Sequence, residues 1–215
     1  MSMHDRIIGR AAPLPINNVD TDQIMPKQFL RGIDKAGLAP GVFYDLRHDD
    51  AGAVKPDFVL NRPSYAGADI LIAGANFGCG SSREHAVWGL LQFGIRAIVA
   101  PSFGEIFYSN AMNNRLMLVM LAEQEIAALL AEAQAAAAPL PIAIDVRAGT
   151  VTSSTVQASF ELAPRLRAMY LEGHDMIGAT LAHVAAIEAF ARARGKQRPW
   201  VSDVAGKTMT RLDGM

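Results

Sequence analysis

Hydrophobic and polar positions change their rhythm along this chain. From residue 69 onward, short continuous apolar runs at 69–73, 97–100 and 117–121 alternate with longer stretches, 82–93 and 102 to about 114, the first of them amphipathic. Short apolar runs bounded by turn residues predict buried strands, and amphipathic stretches of this length predict helices. The punctuation agrees. Gly94 closes the first helical stretch, Pro101 precedes the second, and the pairs Ser81/Glu84 and Ser102/Glu105 have capping-box spacing. The rhythm is β-α-β-α-β, which predicts a parallel sheet with crossover helices and ligand loops at the carboxyl ends of the strands.

Upstream the pattern is less regular. Residues 7–12 predict a first strand, and the following Asn17-Asn18-Val19-Asp20-Thr21-Asp22-Gln23-Ile24 is rich in small polar side chains without helical period. It reads as an ordered polar loop, with turn chemistry as the plain explanation. Residues 32–66 are punctuated by Gly, Pro and Asp around apolar islands at 42–44 and 58–60. A loop this long is either functional and partner-facing or a surface excursion, and the pattern leaves both open.

Downstream, 123–138 is an alanine-rich helix with Ile126, Leu129 and Leu130 on one face, ended by Pro139 and Pro141. Runs 142–146 and 151–160 flank Gly149-Thr150 and predict a β-hairpin. Two helices follow, 163–171 closed by Gly173 and 175–194 closed by Gly195, with Asp175 as N-cap. Arg192, Arg194, Lys196 and Arg198 read as cations at a helix C-terminus. We expect one domain over 1–195 and a poorly ordered tail over 196–215.

Composition narrows the function class. With 215 residues, 51% of them hydrophobic, the chain can bury one substantial core. A net charge of −1 gives no general field for nucleic acid, and no window reaches the apolar length of a membrane span. The first ten residues lack the pattern of a signal peptide, so a cytoplasmic protein acting on small molecules or other proteins is expected. Cys79 is the single cysteine. It excludes an intrachain disulfide and a CxxC metal site, and one thiolate does not hold an iron–sulfur cluster.

Candidate chemistry concentrates in residues 75–85, Ala-Asn-Phe-Gly-Cys-Gly-Ser-Ser-Arg-Glu-His, at a predicted strand-to-helix junction. Gly78 and Gly80 let a ligand approach the backbone, a helix N-terminus favours negative charge, and Arg83 is a planar cation suited to a carboxylate. Other motifs fit less well. A dinucleotide loop would need glycine where Arg83 stands and an acidic residue ending 97–100, a P-loop needs Gly-Lys-Ser/Thr, and a nucleophile elbow needs G-x-S-x-G. Cys79 and His85 have no spacing that forces a thiol–base pair, so a small buried cysteine and a packing histidine are the economical readings. His4, His48, His174 and His183 lack metal-ligand spacing. What remains is a pair of hydroxyls and a guanidinium, an arrangement able to stabilise an alkoxide that takes a proton from carbon beside a carboxylate.

Residues 76–86, Asn-Phe-Gly-Cys-Gly-Ser-Ser-Arg-Glu-His-Ala, resemble the Gly-Ser-Ser-Arg-Glu-His signature of the aconitase-family swivelling domain. Phe-Gly-Cys-Gly and Trp88 are similar to its 3-isopropylmalate dehydratase small-subunit branch. Three further blocks agree in order: 18–24 with Pro26-Lys27-Gln28-Phe29-Leu30; Pro56-Asp57-Phe58-Val59-Leu60-Asn61; and 100–107 with Asn110, Asn113 and Asn114.

The resemblance implies an α/β, swivelling β/β/α-type domain with a β-α-β-α-β core and C-terminal helices. It further implies a hydro-lyase that interconverts 2-isopropylmalate and 3-isopropylmalate in leucine biosynthesis, using a [4Fe–4S] cluster. By motif position Ser81 is the base, Ser82 and Arg83 bind a substrate carboxylate, and Thr21 and Asp22 line the same cleft. Lys27 and Arg31 are candidates for a further anion contact. With one cysteine here, the cluster must be held by a large catalytic subunit, the active site lying between the two chains. Part of 32–66 and the loop 77–82 would face that partner; Met25 and Phe29 would be contact or pocket residues, or ordinary core. The alternatives are a small subunit acting on homoaconitate or a methyl-substituted malate, and a non-catalytic nucleotide-binding module.

Overall fold

The structure, a computed structural model, describes residues 5–30, 35–136 and 138–214. The chain divides into two compact units after Asp175. The first is built on a sheet that, among the described residues, has seven strands: β1 (Arg6–Leu14), β2 (Ile70–Ala73), β3 (Ala97–Ala100), β4 (Met117–Met120), β5 (Leu140–Asp145), β6 (Thr150–Thr152) and β7 (Gln157–Ser159), in the order β4-β3-β2-β1-β5-β6-β7. β1 to β4 are parallel, and β5, β6 and β7 run on antiparallel from β1. β1 joins the halves: Arg6 to Ala11 pair with β5, and Ala11 to Leu14 pair with β2.

Burial explains the apolar runs. Parallel strands are covered on both faces, so β2 and β3 are buried at every position, whereas β5 alternates. Because side chains alternate along a strand, one face of the sheet carries Leu71, Ala73, Ile98 and Leu118, and the other carries Ile70, Ile72, Val99 and Val119. Helices α3 (Glu84–Phe93) and α4 (Glu105–Asn113) cover the first face through Val87, Leu90, Phe107 and Ala111. Helix α5 (Glu123–Ala136) covers the second through Ile126, Leu129 and Ala133.

Between β1 and β2 lie the short helices α1 (Thr21–Ile24) and α2 (Tyr44–Arg47) and several 3-10 turns. Val42, Phe43 and Tyr65 from this stretch are buried in the first core, and Leu46, Phe58, Val59 and Leu60 pack against it. The apolar islands expected in 32–66 are therefore core pieces and not a surface excursion; residues 31–34 lie outside the described residues.

At the opposite end of the strands, Asp69 fastens the parallel half. It accepts from the Arg10 N–H at 2.7 Å and from Arg96 Nε at 3.0 Å, while Arg96 also donates to the Ile8 carbonyl at 2.8 Å.

Two expectations for the C-terminal part are corrected. The second hairpin arm, predicted over 151–160, breaks into β6 and β7 at Ser153-Ser154-Thr155-Val156. The Ser153 and Thr155 hydroxyls donate to Glu132 on α5 at 2.5 and 2.6 Å, the Ser154 N–H donates at 3.1 Å, and the Ser154 hydroxyl donates as well. A turn whose polar groups converge on one carboxylate replaces the straight strand. The helix expected over 175–194 is two helices, α7 (Met176–Leu181) and α8 (Val184–Gln197), preceded in the first unit by α6 (Pro164–Glu172). Asp175, the expected N-cap, directly precedes α7. Within 196–215 there is a 3-10 turn at Pro199–Val201 and helix α9 (Val204–Asp213), whose N-cap Asp203 accepts from the Gly206 N–H at 3.2 Å. Among the described residues no helix is long and apolar enough to cross a membrane.

The Glu132 cluster yields a pH-dependent prediction. Partial burial pushes this carboxyl up, but hydrogen bonds from Ser153, Ser154 and Thr155 outweigh it and hold the group at about 2, below its ordinary 4.5. A group depressed by folding stabilises above its unfolded value and loses that contribution as pH falls toward the folded one. Glu132→Gln should therefore lower the urea midpoint of the full chain at pH 7, with the gap from wild type shrinking between about pH 4.5 and about 2. A gap of constant size across that range would reject this role.

Candidate active site

The parallel pairing of β1 with β2 sets their carboxyl ends side by side. The loops leaving those ends are joined along their backbones: the Asn18 N–H donates to the Ala75 carbonyl at 2.8 Å, Gly78 to Val19 at 2.7 Å, and Thr21 to Cys79 at 2.9 Å. On its other side the same loop meets the one after β3, with Phe77 donating to Ser102 at 3.1 Å and Gly104 to Phe77 at 2.9 Å. The segment around Phe77 to Cys79 thus bridges to a neighbouring loop on each side. Its closeness explains Gly78, which has φ +75° and lies where a Cβ would overlap the Phe107 ring. Asn18 and Asn76 also have positive φ, and the Asn76 amide donates to the Asn18 side-chain oxygen at 2.9 Å.

A capping box does form at the site, though at neither expected pair. Asp20 is the N-cap of α1: its carboxylate accepts from the Gln23 N–H at 2.7 Å, and the Gln23 side chain accepts from the Asp20 N–H at 3.0 Å. Helix α3 begins at Glu84 with Arg83 at its N-cap, and α4 begins after Gly104, both without a side-chain cap. The four expected capping side chains have other partners or places. Ser81 turns to Thr21, the Ser102 hydroxyl accepts from the Asn76 N–H at 2.8 Å, and Glu84 accepts from Asn114 Nδ2 at 2.6 Å; Glu105 is simply the first residue of α4. Asn114 in turn accepts from Trp88 Nε1 at 3.0 Å, fixing the start of α3 to the end of α4.

Of the expected site residues, the fold brings four together. Thr21, 1% exposed, places its hydroxyl 3.0 Å from the Ser81 carbonyl oxygen and 3.1 Å from Ser81 Oγ. The Arg83 guanidinium is paired with the Asp22 carboxylate, one position along α1. Ser81 is exposed beside this pair, and so is Ser82, whose side chain makes no hydrogen bond among the described residues. Lys27 is exposed on the 3-10 turn Lys27–Phe29, and no described hydrogen bond ties it to the cluster. Arg31 lies outside the described residues.

The remaining singled-out residues resolve as follows. Met25 is wholly buried core, and Phe29 is partly buried, its ring 5.1 Å from that of Tyr44. His85 packs on Trp88 at 4.8 Å. Cys79 is a free, partly exposed thiol and not the fully buried one expected. Among the described residues no group of three or more His, Cys, Asp or Glu side chains is placed to hold a metal ion. With a single cysteine as well, the donor set of this chain does not fit an iron–sulfur cluster.

The Thr21–Ser81 contact and the Asp20/Gln23 box were missed in the sequence. The spacing Asp20-x-x-Gln23 was their one local signal, hidden in a segment whose polar residues all suit turns. A cavity of about 370 Å³, lined in part by Pro13, Phe58, Arg62 and Tyr65, includes none of the hydroxyl cluster. Within the cluster Ser81 and Ser82 are exposed, so among the described residues it presents an open surface.

Comparison with known proteins follows the same lines. Residues 1–124 match the aconitase C-terminal domain, and residues 176–204 match the C-terminal domain of the 3-isopropylmalate dehydratase small subunit. A 3-isopropylmalate dehydratase small subunit 1 from Chromobacterium violaceum is 62% identical, over 99% of this chain and 100% of its own length. A 3-isopropylmalate dehydratase small subunit from Phenylobacterium zucineum is 48% identical over 94% and 98%. The crystal structure of a 3-isopropylmalate dehydratase from Methanocaldococcus jannaschii superposes with a TM-score of 0.61 at 29% identity, covering 86% of this chain and 99% of that one. With a whole-length relative at 62% identity and a domain match over more than half its residues, the chain belongs to the family of 3-isopropylmalate dehydratase small subunits, within the aconitase fold group.

Proposed function

We propose that this chain forms half of the active site of a hydro-lyase that interconverts 2-isopropylmalate and 3-isopropylmalate, the other half coming from a large subunit that carries a [4Fe–4S] cluster. The observation that carries this reading is the Ser81 hydroxyl, exposed at the meeting of two strand-end loops and held by Thr21 beside the Arg83 guanidinium. The cluster would supply Lewis acidity toward the departing hydroxyl and a substrate carboxylate.

The residues of this chain handle the proton and the remaining carboxylate. Ser81, as alkoxide, accepts the proton from carbon beside a carboxylate while hydroxide leaves the neighbouring carbon, giving the unsaturated diacid, hydroxide and a neutral Ser81. Hydroxide then adds to the carbon that lost its proton, and Ser81 Oγ gives its proton to the other carbon and becomes the alkoxide again. Arg83 presents a planar fork to one substrate carboxylate, with Ser82 alongside. Its present partner, Asp22, has a side chain 55% exposed, so a substrate carboxylate exchanges with it without leaving a buried ion unpaired. Thr21 and Asp22 line the cleft, with Lys27 and Arg31 as candidates for a further anion contact. The exposed hydroxyls of the cluster and the single cysteine both support a partner-completed site.

The complex reconstituted with its large subunit tests the reading. It should turn over 3-isopropylmalate, and the small subunit alone should not; turnover only of homoaconitate or of a methyl-substituted malate would assign the site to a different hydro-lyase. Ser81→Ala should lower kcat by roughly 10²- to 10⁴-fold, the range for losing a general base, with KM within about threefold. Full activity would remove Ser81 from the base role. Arg83→Lys should raise KM by about tenfold, since a point charge does not reproduce a bidentate pair; an unchanged KM would count against carboxylate binding there.

A further inference from the structure

We propose that Thr21 is a positioning residue for the base, its hydroxyl proton moving from the Ser81 carbonyl oxygen to Ser81 Oγ when that oxygen is charged. The proposal rests on the reading of Ser81 as base, and it is carried by an arrangement that reading does not require. The Thr21 hydroxyl has one proton and two acceptors within reach, Ser81 O at 3.0 Å and Ser81 Oγ at 3.1 Å. Both belong to the same residue.

In the neutral state the two hydroxyls are arranged head to tail: Thr21 donates to the carbonyl oxygen, and the Ser81 hydroxyl donates to Thr21 Oγ1. When Ser81 releases its proton to solvent, the second bond loses its donor. Rotation about the Thr21 Cβ–Oγ1 bond then turns the remaining proton onto the Ser81 alkoxide, with no heavy atom moving. The new bond is charge-assisted and stronger than the neutral one it replaces, so the exchange favours the ionised serine. The carbon-bound proton taken up by Oγ reverses the change, and Thr21 returns to the carbonyl.

Thr21 is suited to this by how firmly it is held. It is 1% exposed, so water does not compete for its hydroxyl. Its N–H donates to Cys79, it opens α1 directly after the Asp20/Gln23 capping box, and its β-branched side chain has few χ1 choices. The pairing also separates the two adjacent serines: Ser81 has this donor, whereas Ser82 makes no side-chain hydrogen bond among the described residues. Position in the chain leaves Ser81 and Ser82 equivalent as hydroxyls. Thr21 makes them unequal.

The test uses the assembled two-subunit enzyme with 3-isopropylmalate as substrate. Thr21→Val, which keeps shape and removes the donor, should lower kcat about 10- to 100-fold with KM within about threefold, and should move the acidic limb of the kcat–pH profile to higher pH. Thr21→Ser should restore kcat to within about threefold of wild type. Asp20, Asp22, Cys79 and Arg83 in the two loops, and Glu84 and His85 at the start of α3, are unchanged in these variants, so a moved limb reports the lost hydroxyl. If Thr21→Val does not assemble, Thr21→Ala gives the same split. Wild-type kcat and pH limb in Thr21→Val, or equal losses in Thr21→Ser and Thr21→Val, would overturn the proposal. Full activity in Ser81→Ala would instead remove the base reading beneath it, so the two failures are told apart.

Discussion

The backbone bonds between the loops after β1 and β2 are the constraint on which the site depends. Gly78 donates to Val19 and Thr21 to Cys79, so residues distant in sequence are held at fixed register. Each bond on its own contributes about 1 kcal/mol, but together they continue the sheet beyond its formal end. They also dictate composition. A segment squeezed between two loops, with Phe107 pressed against it, has no room for a Cβ at Gly78, and the facing Gly104 stands where a Cβ would come 2.5 Å from the Gly78 carbonyl oxygen. The glycines of the motif are there first to let three loops meet, and the exposed Ser81 hydroxyl is what the meeting presents.

That meeting is possible only because the sheet is parallel on this side. Parallel strands end at the same edge, and β1 supplies both the edge and the switch to the antiparallel half. The two halves divide the work. β5, β6 and β7 extend the second core, while Asp69 with Arg96 fixes the opposite edge, leaving the carboxyl edge to the loops. Stability and chemistry therefore draw on different ends of the same strands.

Much of this was legible in the pattern of apolar residues. The β-α-β-α-β rhythm, the alanine-rich α5 and a hairpin after it follow from periodicities that burial on two faces or one enforces. What could not be read were choices between equally polar partners. Ser81/Glu84 and Ser102/Glu105 have the spacing of caps, but Thr21, Asn114 and Asn76 compete for three of the four side chains, and those competitors come from other parts of the chain. Likewise the break at Ser153 to Val156 is decided by Glu132, a residue on a helix formed earlier in the chain. Local spacing states what a side chain is able to do; tertiary neighbours decide which option is used.

The same competition gives the candidate site its character. Had Ser81 capped α3, its oxygen would have been spent on a backbone N–H and turned toward the helix axis. Because the helix starts at Glu84 with no side-chain cap, Ser81 remains in the loop, where Thr21 from β1's side reaches it and solvent covers its other face. Arg83, left at the N-cap position, is likewise directed to Asp22 across the loop interface and not along its own helix. An uncapped helix is a small loss of stability, about 1 kcal/mol on typical scales, and here it goes with Ser81 left exposed and Arg83 paired with Asp22. Among the described residues, the outcome is a serine hydroxyl left exposed in the loop beside an ion pair that joins the two strand-end loops.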